Sequence, residues 1–130
     1  MIEPERAERL IDAATASRGN AVSNRSGFAV GAAIEADDGR IFGGCNIENS
    51  TYGLTVCAER VAIWKALSEG IRKFRAVAVV TDADTPTPPC GACRQILWEF
   101  AGDVPVVSAT VRGARKTYRM ADLLPEPFEF

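Results

Sequence analysis

A chain of 130 residues is long enough to bury a core without disulfide staples and short enough to form one domain, spanning residues 1–130. Its 47% hydrophobic and 25% charged residues are ordinary for a globular protein, and a net charge of −2 argues against the basic footprint of a polynucleotide binder. Eighteen apolar residues never run together, and the opening EPERAERLID has no apolar signal region, so a cytoplasmic protein with no membrane association is expected.

Residues 4–18 set Ala7, Leu10, Ile11 and Ala14 at helical spacing, with Pro4 suited to a first turn and Gly19-Asn20 to a stop. FAVGAAIEA and RIFGGCNIE read as extended runs joined by Asp37-Asp38-Gly39, a hairpin turn. The loop NSTYGLT precedes a helix over 57–69 closed by Gly70, and RAVAVVT at 75–81 reads as a buried strand. DADTPTPP must be loop, because its prolines lack backbone donors and bias the preceding residues away from helix. A helix at 91–100, a strand at VPVVSA and a weaker strand near KTYRM complete the order. That order predicts an α/β fold: a mixed sheet with helices on both faces, parallel where the strands beginning at 75 and 104 meet.

The chemistry is concentrated in TVCAERVAIW, residues 55–64, and TPPCGACRQILWEF, residues 87–100. Four cysteines in a reducing compartment suit metal binding or catalysis better than a disulfide framework. Cys57 and Cys90 each stand where a loop becomes a helix, a place that favours the thiolate, and Cys93 lies one turn on. Three thiolates form a soft donor set suited to zinc and leave a fourth position for a water that can be driven toward hydroxide. Glu59, in the same turn as Cys57, is the natural proton shuttle in a chain without histidine. Arg60 and Arg94, each beside a ligand segment, can offset the surplus negative charge by hydrogen-bonding sulfur.

CAE followed by PCGAC is a signature of zinc-dependent base deaminases. With VGAAIEADDGRIFGGCNIENSTYGLTVCAERVAI and PPCGACRQILWEF, the chain from about Phe28 to Phe128 resembles the small homotetrameric cytidine deaminases that use three cysteines. The resemblance implies a three-layer α/β/α sandwich on about five strands. It implies hydrolysis of cytidine and deoxycytidine to uridine and deoxyuridine plus ammonia, by zinc-bound hydroxide with Glu59 as shuttle. On the same likeness Cys57, Cys90 and Cys93 hold one zinc per subunit, and the backbone around Ala58 meets the pyrimidine. Asn46 and Glu48 bind the ribose hydroxyls, and Phe28 packs beside the nucleoside. Tyr52 and Phe128 reach a neighbouring subunit's site, with Phe130 an alternative to Phe128, so the tetramer shares its sites. A role in pyrimidine salvage is implied too.

Two positions depart from the family pattern. Arg25 in RSGF stands where a tyrosine is usual, and Ser50-Thr51-Tyr52 replaces Ala-Ser-Tyr; both touch the substrate end. An arginine there could meet a polar or anionic substituent. The same metal chemistry would also serve an aminopyrimidine nucleoside antibiotic of the blasticidin S type or a base-modified cytidine. Non-enzymatic readings are a closed four-cysteine zinc module completed by Cys45, or a Cys90–Cys93 redox pair. Cys45 otherwise reads as a buried structural thiol, Phe28, Trp64 and Trp98 as core, and Asn46 and Glu48 as turn residues.

Overall fold

The computed structural model describes residues 2–129. Helix α1, Pro4–Arg18, buries Leu10, Ile11 and Ala14 along one stripe, and its proline occupies the first turn, where a missing N–H leaves no bond unmade. Strands β1, Val30–Ala36, and β2, Ile41–Cys45, form an antiparallel hairpin with Ala33 opposite Gly43. The turn between them requires Gly39 at φ 92°, a conformation glycine adopts without steric penalty. A 3-10 turn at Tyr52–Leu54 leads to α2, Ala58–Ser68. Then follow β3, Phe74–Thr81; α3, Gly91–Ala101; β4, Pro105–Thr110; β5, Arg115–Arg119; and the short α4, Met120–Leu123.

Among the described residues the five strands make one sheet in the order β2-β1-β3-β4-β5. β3 and β4 run parallel and the other pairs antiparallel, as the placement of the helices predicts. Alternation along β3 divides the core between the two faces. Ala76, Ala78 and Val80 pack with Leu10, Ile11 and Ala14 of α1. Val77 and Val79 pack with Ala58, Ala62 and Ile63 of α2 and Leu97 of α3. A strand covered on both sides has no polar face to show, which is why 76–80 is an unbroken apolar run. β1 also carries a buried carboxylate: Glu35, matched by Arg6 of α1, whose Nη2 lies 2.5 Å from Oε1.

Small residues bring the helices close to the sheet. A Cβ on Gly44 would fall 2.5 Å from the Ala62 nitrogen and 2.6 Å from the Ala58 oxygen, so only glycine lets β2 lie against the first turns of α2. That approach fixes the height of residues 57–59 above the sheet. The β3–α3–β4 crossover sets the start of α3 beside them through the proline-rich loop. Trp64 is not core, contrary to the sequence expectation. It is 45% exposed, its ring lying beneath the Arg60 guanidinium at 5.9 Å. Trp98 is half-buried against the α2–α3 cluster, with Nε1 directed to the Glu129 carboxylate.

Candidate active site

Cys57 is the N-cap of α2 and Cys90 the N-cap of α3, and neither sulfur caps its own helix. Cys93, one turn into α3, is fully buried. The three sulfurs lie within 4.8 Å of one another, with Cys57 Sγ and Cys90 Sγ 3.8 Å apart, and all are free thiols. Tetrahedral zinc with Zn–S bonds of ~2.3 Å sets sulfurs ~3.8 Å apart, the separation of Cys57 and Cys90, and Cys93 lies close enough to join them as a third ligand. Cys45 stands on β2 opposite Gly31 and is not part of the cluster, so a closed four-sulfur site does not form among the described residues.

The electrostatics divide the thiols. Cys57 is drawn down to about 5, chiefly by the hydrogen bond from the Cys93 thiol and then by Arg60. Cys93 is pushed up by the hydrogen bond it gives and by its burial. Arg60 Nη2 lies 3.3 Å from Cys57 Sγ, and its Nε is buried with no hydrogen-bond partner among the described residues. Arg94 does not meet the expectation of a sulfur contact. Its Nε donates to the Pro89 carbonyl at 2.7 Å and its Nη1 to the Leu123 carbonyl at 2.9 Å, bracing the segment that leads into Cys90. Glu59 is only 5% exposed, and burial, aided by the Cys57 charge, lifts its carboxyl to about 7. A carboxyl at that value can both take and return a proton near neutral pH.

Cys57, Cys90 and Glu59 line a cavity of about 270 Å³, together with Phe28, Val30, Ala58 and Val79, while Cys93 lies buried behind it. Asn46 and Glu48 line the same cavity. Asn46 is tied to the backbone on both sides: Val30 N–H donates to Oδ1 at 2.9 Å, and Nδ2 donates to the Phe28 carbonyl at 2.9 Å. Its Nδ2 also lies 3.4 Å from Glu48 Oε2. Tyr52 and Phe128 are not brought to this cavity; they are 72% and 66% exposed. Tyr52 lies under Arg25, and the Phe128 backbone is held by both ends of the Gln95 amide. Phe130 lies outside the described residues. Sequence reasoning overlooked Ser26, Thr55, Thr81, Thr87 and Gln95. The threonines line the same cavity from three separate segments, which no spacing along the chain reveals.

The two positions that depart from the family pattern touch each other: Arg25 Nη2 donates to Ser50 Oγ at 3.0 Å. The family model described as the cytidine and deoxycytidylate deaminase zinc-binding region matches residues 4–110. This chain belongs to that family. A cytidine deaminase from Sporosarcina psychrophila is 48% identical over 122 residues, 93% of this chain and 90% of the relative. A crystal structure of cytidine deaminase from Burkholderia pseudomallei superposes with a TM-score of 0.90 at 44% identity, covering 93% of this chain and 98% of that one. A blasticidin-S deaminase from Bacillus cereus is 35% identical over 82 residues, 57% of this chain and 59% of the relative. As a member of the deaminase family the chain carries a zinc-binding region, and its cysteine triad is a cluster able to take that metal. No helix among the described residues is long and apolar enough to cross a membrane.

Proposed function

We propose that this deaminase hydrolyses cytidine and deoxycytidine to uridine and deoxyuridine with release of ammonia, using Cys57, Cys90 and Cys93 as zinc ligands. The observation that carries the reading is a single cavity lined by the buried carboxyl Glu59, by Cys57 and Cys90 of the three-sulfur cluster, and by Asn46 and Glu48. Zinc held by three thiolates supplies activation of water near neutral pH. Glu59 takes one proton from the attacking water and places it on pyrimidine N3, then takes the second from the oxygen now bonded to C4 and delivers it to the amino nitrogen as the C4–N bond breaks. Cytidine and water thereby become uridine and ammonia, and Glu59 returns to its starting state.

Burial supports the role, since a carboxyl at about 7 exchanges protons with little free-energy gap in either direction. Arg60 restrains the surplus charge of the sulfurs. The backbone at Ala58 orients the pyrimidine, Phe28 packs on the nucleoside, and a sugar hydroxyl enters between Asn46 Nδ2 and Glu48 Oε2. In this proposal the chain is one domain acting in the cytoplasm in pyrimidine salvage. It assembles as a homotetramer in which Tyr52 and Phe128 reach a neighbouring copy's cavity, consistent with their exposure.

Ammonia release from cytidine by protein of measured zinc content tests metal, reaction and substrate together. Glu59→Gln is expected to keep its zinc while turnover falls about 10²- to 10⁴-fold; undiminished turnover would remove Glu59 from the reaction. The likeness to a blasticidin-S deaminase favours a second substrate class, but it covers 57% of the chain against 93% for the cytidine deaminase relative. Turnover of the antibiotic with none of cytidine would reverse the choice.

A further inference from the structure

We infer that Ser26 is a positioning residue, its hydroxyl locking the Glu48 carboxylate and the Phe28 backbone into the arrangement that receives the substrate's sugar. The inference rests on the nucleoside reading above, but the bonds behind it are independent of that reading. Phe28 N–H donates to Ser26 Oγ at 3.0 Å, and Ser26 Oγ in turn donates to Glu48 Oε2 at 2.5 Å. Because the serine oxygen is already an acceptor, its one proton is directed at the carboxylate. The other oxygen, Oε1, accepts the backbone N–H groups of Arg25 at 3.0 Å and Ser26 at 2.9 Å.

Each of these neighbours donates to Glu48, so the site favours the ionised form and holds it in one orientation. With Asn46 Nδ2 at 3.4 Å, four donors occupy the roughly four lone-pair positions of the carboxylate. The long Asn46 contact is the weakest, so a sugar hydroxyl is admitted there and the Ser26 side stays shut. The segment that supplies these donors is itself closed, by Gly27 N–H on the Ser23 carbonyl at 2.8 Å with Gly27 at φ 69°. Ser26 thus links the wall that packs on the nucleoside to the group that binds its sugar.

Glu48 lies well below the usual carboxylate range, first through the Ser26 hydroxyl and then through the Ser26 N–H, with the nearby Arg25 charge adding. The other titratable groups facing it are Tyr52 across the outer groove, and Cys57, Glu59 and Cys90 across the cavity. Binding that needs ionised Glu48 is therefore present above this lowered value and lost only as pH falls through it. Without the serine hydroxyl the value rises, and the loss sets in at higher pH.

The test uses zinc-loaded protein and the variants Ser26→Ala and Ser26→Thr. It follows cytidine kinetics across the acid range alongside a carbon-13 titration of the Glu48 carboxyl, assigned with Glu48→Gln. Ser26→Ala is expected to raise KM about tenfold with kcat changed by no more than about twofold. Its acid limb of kcat/KM and the Glu48 titration midpoint should both move to higher pH, and Ser26→Thr should restore both. An unmoved Glu48 midpoint overturns the inference, as does a parallel fall of zinc content, kcat and affinity. Should the parent protein fail to turn over cytidine, the nucleoside reading fails, while the carbon-13 titration still decides whether Ser26 controls Glu48.

Discussion

Arg60 shows how one side chain on the first turn of α2 serves two neighbours. Its Nη2 reaches the Cys57 sulfur at 3.3 Å while its guanidinium lies over the Trp64 ring, which explains why a tryptophan tolerates 45% exposure there. The thiolate holds the cation in place, raising the affinity of Arg60 for its proton, and the cation in return steadies the thiolate. Removing the guanidinium leaves three sulfurs with no cationic donor at hydrogen-bond distance among the contacts described above. Arg60→Ala is therefore expected to weaken zinc binding about 10- to 100-fold, read by competition with a metal chelator. An unchanged zinc affinity would show that the ligands need no outer support.

Among the elements, the site exists because two helices begin at the same place. α2 begins there because β2 lies against it without an intervening side chain, and α3 because the crossover from β3 to β4 starts with a rigid proline-rich loop. Gly44 is the contact that sets the first of these, with α2 backbone 2.5 and 2.6 Å from where a methyl would sit. Helix backbone cannot yield like a flexible side chain, so Gly44→Ala forces α2 away from the sheet. A loss of about 1–3 kcal/mol in urea denaturation is expected. Activity should fall further than stability alone accounts for, because Cys57 and Glu59 ride on the displaced turn. A variant as stable and active as the parent would mean that α2 is not held by this contact.

For the molecule as a unit, the exposed rings matter most. Tyr52 and Phe128 lie outside their own chain's cavity, and Gln95 clamps the Phe128 backbone to α3, giving the ring a defined place on the surface. Under the proposed sharing of sites between copies, the lesions Phe128→Ala and Glu59→Gln lie on different sides of one cavity. Each variant alone should be nearly inactive. Co-expressed in equal amount, they should regain about a quarter of parent activity, because some sites then combine an intact Glu59 with a neighbour's intact Phe128. Failure to regain activity would place Phe128 in its own chain's site or in no site at all.

Much of this was legible along the chain, because the relevant interactions are local or periodic. The apolar spacing of α1, the Asp-Asp-Gly turn, the buried run of β3 and the cysteines at helix starts each depend on residues a few positions apart. Trp64 misled because helical periodicity shows which face a residue is on but not that a cation will cover it. Arg94 misled because closeness to Cys93 in sequence does not set where a long side chain finds its acceptors; they were the carbonyls of Pro89 and Leu123. Ser26 escaped notice because its partner, Glu48, is 22 residues away. The grouping of Cys57, Cys90 and Cys93, the proposal of Glu59 beside them and the order of elements could be read from the chain alone, since covalent spacing and side-chain chemistry suffice for those. The 3.8 Å between Cys57 and Cys90, the burial that lifts Glu59 and the exclusion of Cys45 could not. Each depends on groups that meet only when the sheet, α2 and α3 pack together.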